Sequence, residues 1–446
     1  MKKSLRWLWI PLAASGLLLG LVVGINAFDE PLNAQAAALS EPRAPAVSAS
    51  QNGYLAVIGM GAADGADATA YAKAWLAEAR MAAQENRPEK PIEAKRAERP
   101  ALCDASQMSC LAATQDKADA ARVQLARYSE DLARYEKLIA YNAYEEILDY
   151  RFNLESQFPR YTPMAAAQRA WLVRAALVVQ AGNIDEALLA VERDIAFQRV
   201  MLVGSRTLIG RMVAAANYTR DLAFVADLLQ TSLADLKPFA PRLTAMLKPI
   251  EPVALNMDTL IDTEFGVMKQ LLKNPAAASS AGQASLQESL GVRFFYQRNA
   301  TINAAHVFYR QTQALLRKPP AALTQESAAD GAVLESMKLR DYVENPVGKM
   351  LLRVGVPSFV SYVLRLHDLD ALNRLLGLGA EIIAADVEMD GIADFVAKSG
   401  TQFFDPYSGK PMAWDATSRQ LSFKVSEAMA KRKLFNLENG RVFLRM

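Results

Sequence analysis

Histidine is nearly missing from this chain. Only His306 and His367 occur in 446 residues. That scarcity leaves little for metal binding or general-base catalysis, because imidazole is the commonest metal ligand and the side chain that titrates near neutrality. Nucleophile signatures are missing too: no Gly-x-Ser-x-Gly, Ser-x-x-Lys or His-Glu-x-x-His occurs. No phosphate-binding loop of the Walker type is present, since Gly348-Lys349 and Gly409-Lys410 are not followed by Ser or Thr. Gly59, Gly61 and Gly65 are spaced G-x-G-x-x-x-G, which is not the dinucleotide fingerprint, and Asp64 would repel a pyrophosphate. Asp386, Glu388, Asp390 and Gly391 begin like a calcium loop. Ala393 and Ala397 then stand where an apolar residue and the bidentate Glu belong, so the run reads as a solvated helix start. Fifty Lys and Arg nearly balance 48 Asp and Glu, and a net charge of +2 makes no electrostatic case for nucleic acid. No catalytic, cofactor-binding or metal-binding residue stands out, and no cofactor is expected.

The remaining titratable groups read as structural. His306 lies in the apolar helical run Ala304-Ala305-His306-Val307-Phe308. His367 and Asp368 are adjacent on a helix and do not face one another. Glu145, Glu146 and Asp149 read as the wet face of a helix.

Cysteine is equally scarce. Cys103 and Cys110 are the only two, with six residues between them. In an oxidising compartment so close a pair is expected to form a disulfide. A redox-active pair is more often Cys-x-x-Cys, and zinc needs more ligands.

One long apolar run is present. Lys2, Lys3 and Arg6 precede it, no charge occurs from Trp7 to Phe28, and Asp29 and Glu30 follow. About 20 apolar residues span a bilayer as a helix. The charge asymmetry places the N-terminus in the cytoplasm. A cleaved signal is the competing reading, but its cleavage sites are poor. Ile25 is bulky at the −3 position for Ala27, and Ala34-Gln35-Ala36 lies beyond the run. The run is therefore expected to be a retained inner-membrane anchor, with the lipid bilayer as its partner and a periplasmic body.

The expected organisation is an anchor over 1–28, a flexible tether over 29–52, a first helical region over 53–273, a second over 286–400 and a β-hairpin element over 401–446. The fold class is mainly α, an irregular helical bundle or solenoid-like body. The first region carries the loop between Cys103 and Cys110. Residues 53–61 are apolar but too short to assign to helix or strand. Residues 67–84 read as helix. Residues 116–158 show an amphipathic stripe through Leu125, Tyr128, Leu132, Tyr135 and Ile139, which predicts a helix of about 60 Å if unbroken. Residues 163–180 and 184–203 form a helix pair around Gly182. Ala170, Leu177, Gly182, Ala187 and Leu188 follow tetratricopeptide spacing, with no second copy. Helices are also expected over 205–218, 222–236, 254–273, 286–316, 345–352 and 358–376. The stretches 274–285 and 318–331 read as loose. Met412–Asp415 and Gln420–Val425 suggest a hairpin, and Arg441–Arg445 a further strand.

Two stretches carry a resemblance. The tail Asp405-Pro406-Tyr407-Ser408-Gly409-Lys410-Pro411-Met412-Ala413-Trp414-Asp415 resembles a terminal hairpin of uncharacterised exported bacterial proteins. Together with the anchor, Asn52-Gly53-Tyr54 and Asn345-Pro346-Val347-Gly348-Lys349, it looks like an uncharacterised group of membrane-anchored periplasmic proteins of Gram-negative bacteria. That group implies a location but no activity. The tail is also similar to the Asp-Pro turn of type II secretion pseudopilins, but the prepilin cleavage motif is missing and the body is far longer.

The expected function is a structural or interaction component of the cell envelope that contacts other envelope proteins. Tyr128, Tyr135, Tyr144, Tyr407 and Trp414 are the surfaces expected to serve that contact. The alternative is an envelope hydrolase with a carboxylate site.

Overall fold

The computed structural model describes residues 2–39, 44–92, 94–104, 107–149, 156–231, 236–273, 275, 286–326, 343–355, 359–426, 429, 435–438 and 440–446. The chain is mainly helical, with a small antiparallel sheet at its C-terminus. Residues 150–155 of the expected long helix, 274 and 276–285 of the loose stretch 274–285, 327–331 of the other and 40–43 of the expected tether lie outside the described residues.

The first helix, α1 (Lys2–Asn26), forms where the apolar run predicts one, and its side chains are described from Ala13 onward. Among the described residues no helix is long and apolar enough to cross a membrane. After α1 come α2 (Ala34–Ala38), α3 (Tyr54–Gly59), α4 (Ala68–Glu85) and α5 (Cys110–Thr114). The apolar stretch at 53–61, ambiguous in sequence, is thus helical. Asp67 caps α4 by accepting from the Thr69 and Ala70 N–H groups.

The expected long helix over 116–158 does not form. It is divided into α6 (Ala118–Leu125), a 3₁₀ turn (Ala126–Tyr128) and α7 (Ser129–Leu138). Residues 142–149 then run without helix. The cause is long-range bonding: Gly53 N–H donates to the Ala143 carbonyl (2.9 Å) and Glu146 N–H to the Gly204 carbonyl (3.1 Å). Helical backbone would have its N–H and C=O groups engaged with its own turns instead.

Three long helices follow: α8 (Tyr161–Gln180), α9 (Ile184–Gly204) and α10 (Leu208–Thr231). The turn between α8 and α9 is a Schellman motif. Gly182, at φ +84°, donates to Val179 and Asn183 donates to Val178. The two helices expected over 205–218 and 222–236 are one, α10, because Thr219 and Asp221 are buried against neighbouring helices rather than in a turn.

Next come α11 (Ala240–Met246), α12 (Pro252–Leu255), α13 (Asp258–Lys273), α14 (Leu286–Phe295), α15 (Arg298–Leu316) and α16 (Pro320–Glu326). They are followed by α17 (Pro346–Gly355), α18 (Val360–Ala384) and α19 (Ile392–Lys398). The acidic run after residue 385 closes α18 rather than only starting a helix. Asp386 is left-handed at φ +54° and donates to Ile383, while Val387 donates to Ile382.

The core lies where α8, α9 and α10 pack on one another, with α7 and α5 against α8 and α18 against α10 and α11. One continuous set of buried apolar side chains runs from Ala36 to Leu444, so the two expected helical regions share a core. The C-terminal strands are β1 (Ala413–Asp415), β2 (Gln420–Lys424), β3 (Leu437–Glu438) and β4 (Arg441–Arg445), in the order β1-β2-β4-β3. Leu421, Phe423, Val442 and Leu444 turn their buried face to the core. Tyr407 Oη (2.7 Å) and Ser426 N–H (3.0 Å) donate to Asp368 on α18 and fasten the sheet there.

Candidate functional site

The most developed polar construction outside the helical core surrounds the end of α1. Asn26 is buried. Its Nδ2 donates to the Val22 carbonyl (2.8 Å) and the Val343 carbonyl (2.9 Å), and its Oδ1 accepts from Asn345 N–H (2.6 Å). Asn345 in turn accepts from Gln297 N–H (2.9 Å) and donates to Thr301 Oγ1 (2.8 Å). Gln297 Nε2 reaches the carbonyls of Ile25 (3.2 Å) and Phe28 (2.9 Å). Its place between α14 and α15 is also why the helix expected over 286–316 is divided.

The chain stays bonded beyond Phe28. The Asp29 carboxylate accepts from Asn299 N–H (2.7 Å) and Ala300 N–H (3.0 Å), at the positive end of the α15 dipole. Asn303 donates to Glu30 Oε1 (2.5 Å) and the Pro31 carbonyl (3.0 Å), and accepts from Asn33 N–H (2.9 Å). Lys269 Nζ donates to the carbonyls of Ala37 (2.6 Å) and Leu39 (3.0 Å). Further along, Glu145 Oε2 accepts from Ala46 N–H (2.7 Å) and Val47 N–H (3.0 Å). The expected flexible tether over 29–52 is therefore corrected: its described residues are strapped to the body by side chains of α13, α15 and the 142–149 segment. Composition missed this because the partners lie more than 90 residues away. The one available signal was Asn345-Pro346-Val347-Gly348, whose Gly348 has no room for a Cβ, which would stand 2.0 Å from Thr301 Oγ1.

Under the strap lies a cavity of about 320 Å³, lined by Val47, Tyr144, Val203 and Ile250 among others, with Arg199 and Glu251 as its charged members. Arg199 is already engaged. It donates to the carbonyls of Pro249 (3.2 Å) and Lys248 and lies over the Tyr218 ring. The cavity thus presents an apolar wall and a single lining carboxylate.

Two buried carboxylate sites lie elsewhere. Glu146, expected on a wet helix face, is buried. Its Oε2 accepts from Arg206 N–H (2.8 Å) and Thr207 N–H (2.7 Å) ahead of α10. Its Oε1 accepts from Thr207 Oγ1 (2.9 Å) and Tyr161 Oη (3.3 Å). Burial pushes its pKa up to about 7, against the pull of these hydrogen bonds. Asp194 and Asp221 form a second buried site. Tyr135 Oη (2.7 Å) and Gln198 Nε2 (2.8 Å) donate to Asp194, and Gln168 Nε2 (2.9 Å) donates to Asp221. Burial and then the charge of Asp194 hold Asp221 well above the ordinary carboxylate range. The two carboxylates and Tyr135 tie α7, α8, α9 and α10 together.

The expected contact residues divide into two sets. Tyr128, Tyr135 and Tyr144 are buried, which corrects their assignment to an interaction surface. Their stripe is the inner face of α7 and the segment after it, turned to α8 and α9. Tyr135 packs by Trp171 and Tyr144 by Phe197. Tyr407 and Trp414 are half-buried against the core, and the Tyr407 hydroxyl is committed to Asp368, so neither stands free. Cys103 and Cys110 are joined in a disulfide, with Cα atoms 5.4 Å apart. His306 accepts from Arg310 Nε (3.3 Å) and packs edge-on to Phe265, and burial lowers the pKa of His367. Asp149 pairs with Arg80. Among the described residues, no group of three or more His, Cys, Asp or Glu side chains is placed to hold a metal ion. No family model, curated protein or solved structure matches this chain.

Proposed function

We propose that the protein is a single-pass, membrane-anchored component of the cell envelope that acts through contacts. In this reading α1 is retained in the inner membrane and the body lies in the periplasm. The observation that carries it is the abrupt change of environment along α1. Leu17 is 79 % exposed and Phe28 83 %, while Asn26 between them is buried in the polar lock. A run of exposed leucines has a natural solvent in hydrocarbon, not in water.

The lock also favours retention over cleavage. Cutting after Ala27 would remove Asn26 and leave Val343 and Asn345 without their partner. Cutting after Ala36 would remove Asp29, Asn33 and the fully buried Ala36 as well. A removed signal peptide has no reason to complete the folded body. The disulfide supports an oxidising compartment. The resemblance to membrane-anchored periplasmic proteins of Gram-negative bacteria points the same way, and other envelope proteins are the partners it implies.

Alkaline carbonate extraction of membranes, followed by mass spectrometry of the N-terminal peptide, tests this reading. Retention in the pellet with residues 2–26 intact is expected. A soluble protein, or one beginning at 28 or 37, overturns it.

A further inference from the structure

We infer that α14 and α17 form a second membrane contact, a wedge seated at the headgroup and acyl boundary of the bilayer that α1 enters. The inference rests on the reading of α1 as a retained anchor. It adds that the body lies against the lipid surface instead of standing off from it.

Position is the first support. α1 packs against α14, and α14 against α17. Asn26, at the last turn of α1, bonds to Val343 and Asn345, immediately before α17 begins. The two helices therefore meet α1 at its exit end, where an anchor leaves the hydrocarbon.

Exposure is the second. Leu290 and Phe294 are exposed on α14, and their i, i+4 spacing puts them on one face. Val343 is exposed ahead of α17, and Met350 on α17 is 60 % exposed. Ile25 and Phe28, on α1 and just after it, are exposed beside them. These apolar side chains come from three pieces of chain that hydrogen bonds and packing hold together. Such continuity makes them one surface rather than scattered residues.

Chemistry is the third. An exposed apolar face beside the exit of an anchor suits the interfacial layer, where its side chains reach the acyl boundary. A soluble protein partner on this face would have to occupy the headgroup zone beside α1, so lipid is the occupant that the placement favours.

Single cysteines placed in the full chain test the wedge. The native pair is joined, so an added thiol can be labelled without reductant. Leu19→Cys, Phe294→Cys, Met350→Cys and Asp119→Cys are each labelled with bimane and reconstituted in phosphatidylcholine–phosphatidylglycerol vesicles. Shallow or deep spin-labelled lipids then act as quenchers. Asp119, whose side chain is 97 % exposed on α6, is the solvent control.

Positions 294 and 350 are expected to lose fluorescence most to the shallow quencher, position 19 to the deep one, and 119 to neither. Quenching at 19 without quenching at 294 and 350 overturns the wedge and leaves the anchor standing. Loss of quenching at all three overturns both. Unquenched 294 and 350 that instead crosslink between two copies identify the face as a dimer interface, which also overturns the wedge.

Discussion

Removing the carboxylate of Glu146 should both destabilise the protein and change how its stability depends on pH. Glu146 accepts two backbone N–H groups, from Arg206 and Thr207, and two hydroxyls, from Thr207 and Tyr161. In Glu146→Ala the two N–H groups lose their acceptor, at roughly 1–3 kcal/mol each for a buried unsatisfied group. The hydroxyls can rotate toward other partners and add less. A loss of about 3–5 kcal/mol is expected. Glu146→Gln should cost far less. Its amide oxygen can replace Oε2 toward the two N–H groups, and its NH₂ can donate to the two hydroxyls in place of Oε1.

The pH dependence separates the two variants further. The folded chain holds the Glu146 proton up to about 7, whereas the ordinary value for the unfolded chain is 4.5. Between those values the folded state binds the extra proton, so this group's contribution is greatest below 4.5 and falls as pH rises to about 7. At about 1.4 kcal/mol per pH unit, that window corresponds to a decline of about 3 kcal/mol. Urea titrations of the full chain in detergent, read by tryptophan fluorescence from pH 4.5 to 8, measure it. The wild type minus Glu146→Gln difference should fall across the window and then flatten. A flat or rising difference would refute the reasoning, as would Glu146→Ala unfolding at the wild-type urea concentration.

Four further outcomes are expected. Gly204→Ala places a Cβ 1.7 Å from the Tyr144 carbonyl oxygen, so the 142–149 segment must leave α9. A loss of about 3 kcal/mol or more is expected in thermal melts, and a neutral result would contradict the close approach. Asp221→Asn removes the carboxyl that burial and the Asp194 charge push upward, so the wild type minus Asp221→Asn stability difference should fall as pH rises, and a difference that rises with pH would contradict that direction. Cys103→Ser with Cys110→Ser should cost roughly 2–3 kcal/mol by chain entropy, and wild-type protein should take up no alkylating agent until it is reduced. Asn345→Ala strips side-chain partners from Gln297, Thr301 and Gly348 and should speed proteolysis within 26–39 without moving the urea midpoint of the helical core.

Local signals read from the sequence lead to the right elements where the chain's own neighbours decide. Gly182 closes α8, and the run around 412–425 is the β1–β2 hairpin. The stripe through Tyr128 and Tyr135 was likewise a correct sign of one apolar face. Sequence cannot say whether such a face meets a partner or the chain's own α8 and α9, and here it meets the latter.

The failures share one cause, which is a distant partner. Residues 142–149 follow a helical pattern but bond to Gly53 and Gly204. Gln297 sits in a continuous helical pattern but bonds to Asn345 and to the end of α1. Residues 29–39 have a linker-like composition, yet Asn299, Asn303 and Lys269 hold them. Glu146 looked like a surface charge because its acceptors' partners, Arg206 and Thr207, are 60 residues away or more. Nothing in the local spacing of an Asn, Gln or Glu marks it as buried.

The central claim is that the chain leaving α1 is locked to the body, so that α1 and the body move as one. Hydrogen–deuterium exchange of the full chain in lipid nanodiscs tests it most directly. The amides of Asn299, Ala300 and Asn345, which donate to Asp29 and Asn26, are predicted to exchange slowly, together with those of Ala37 and Leu39 in the strap. Exchange of residues 26–39 at the rate of an unstructured peptide, with the helical core still protected, would contradict it.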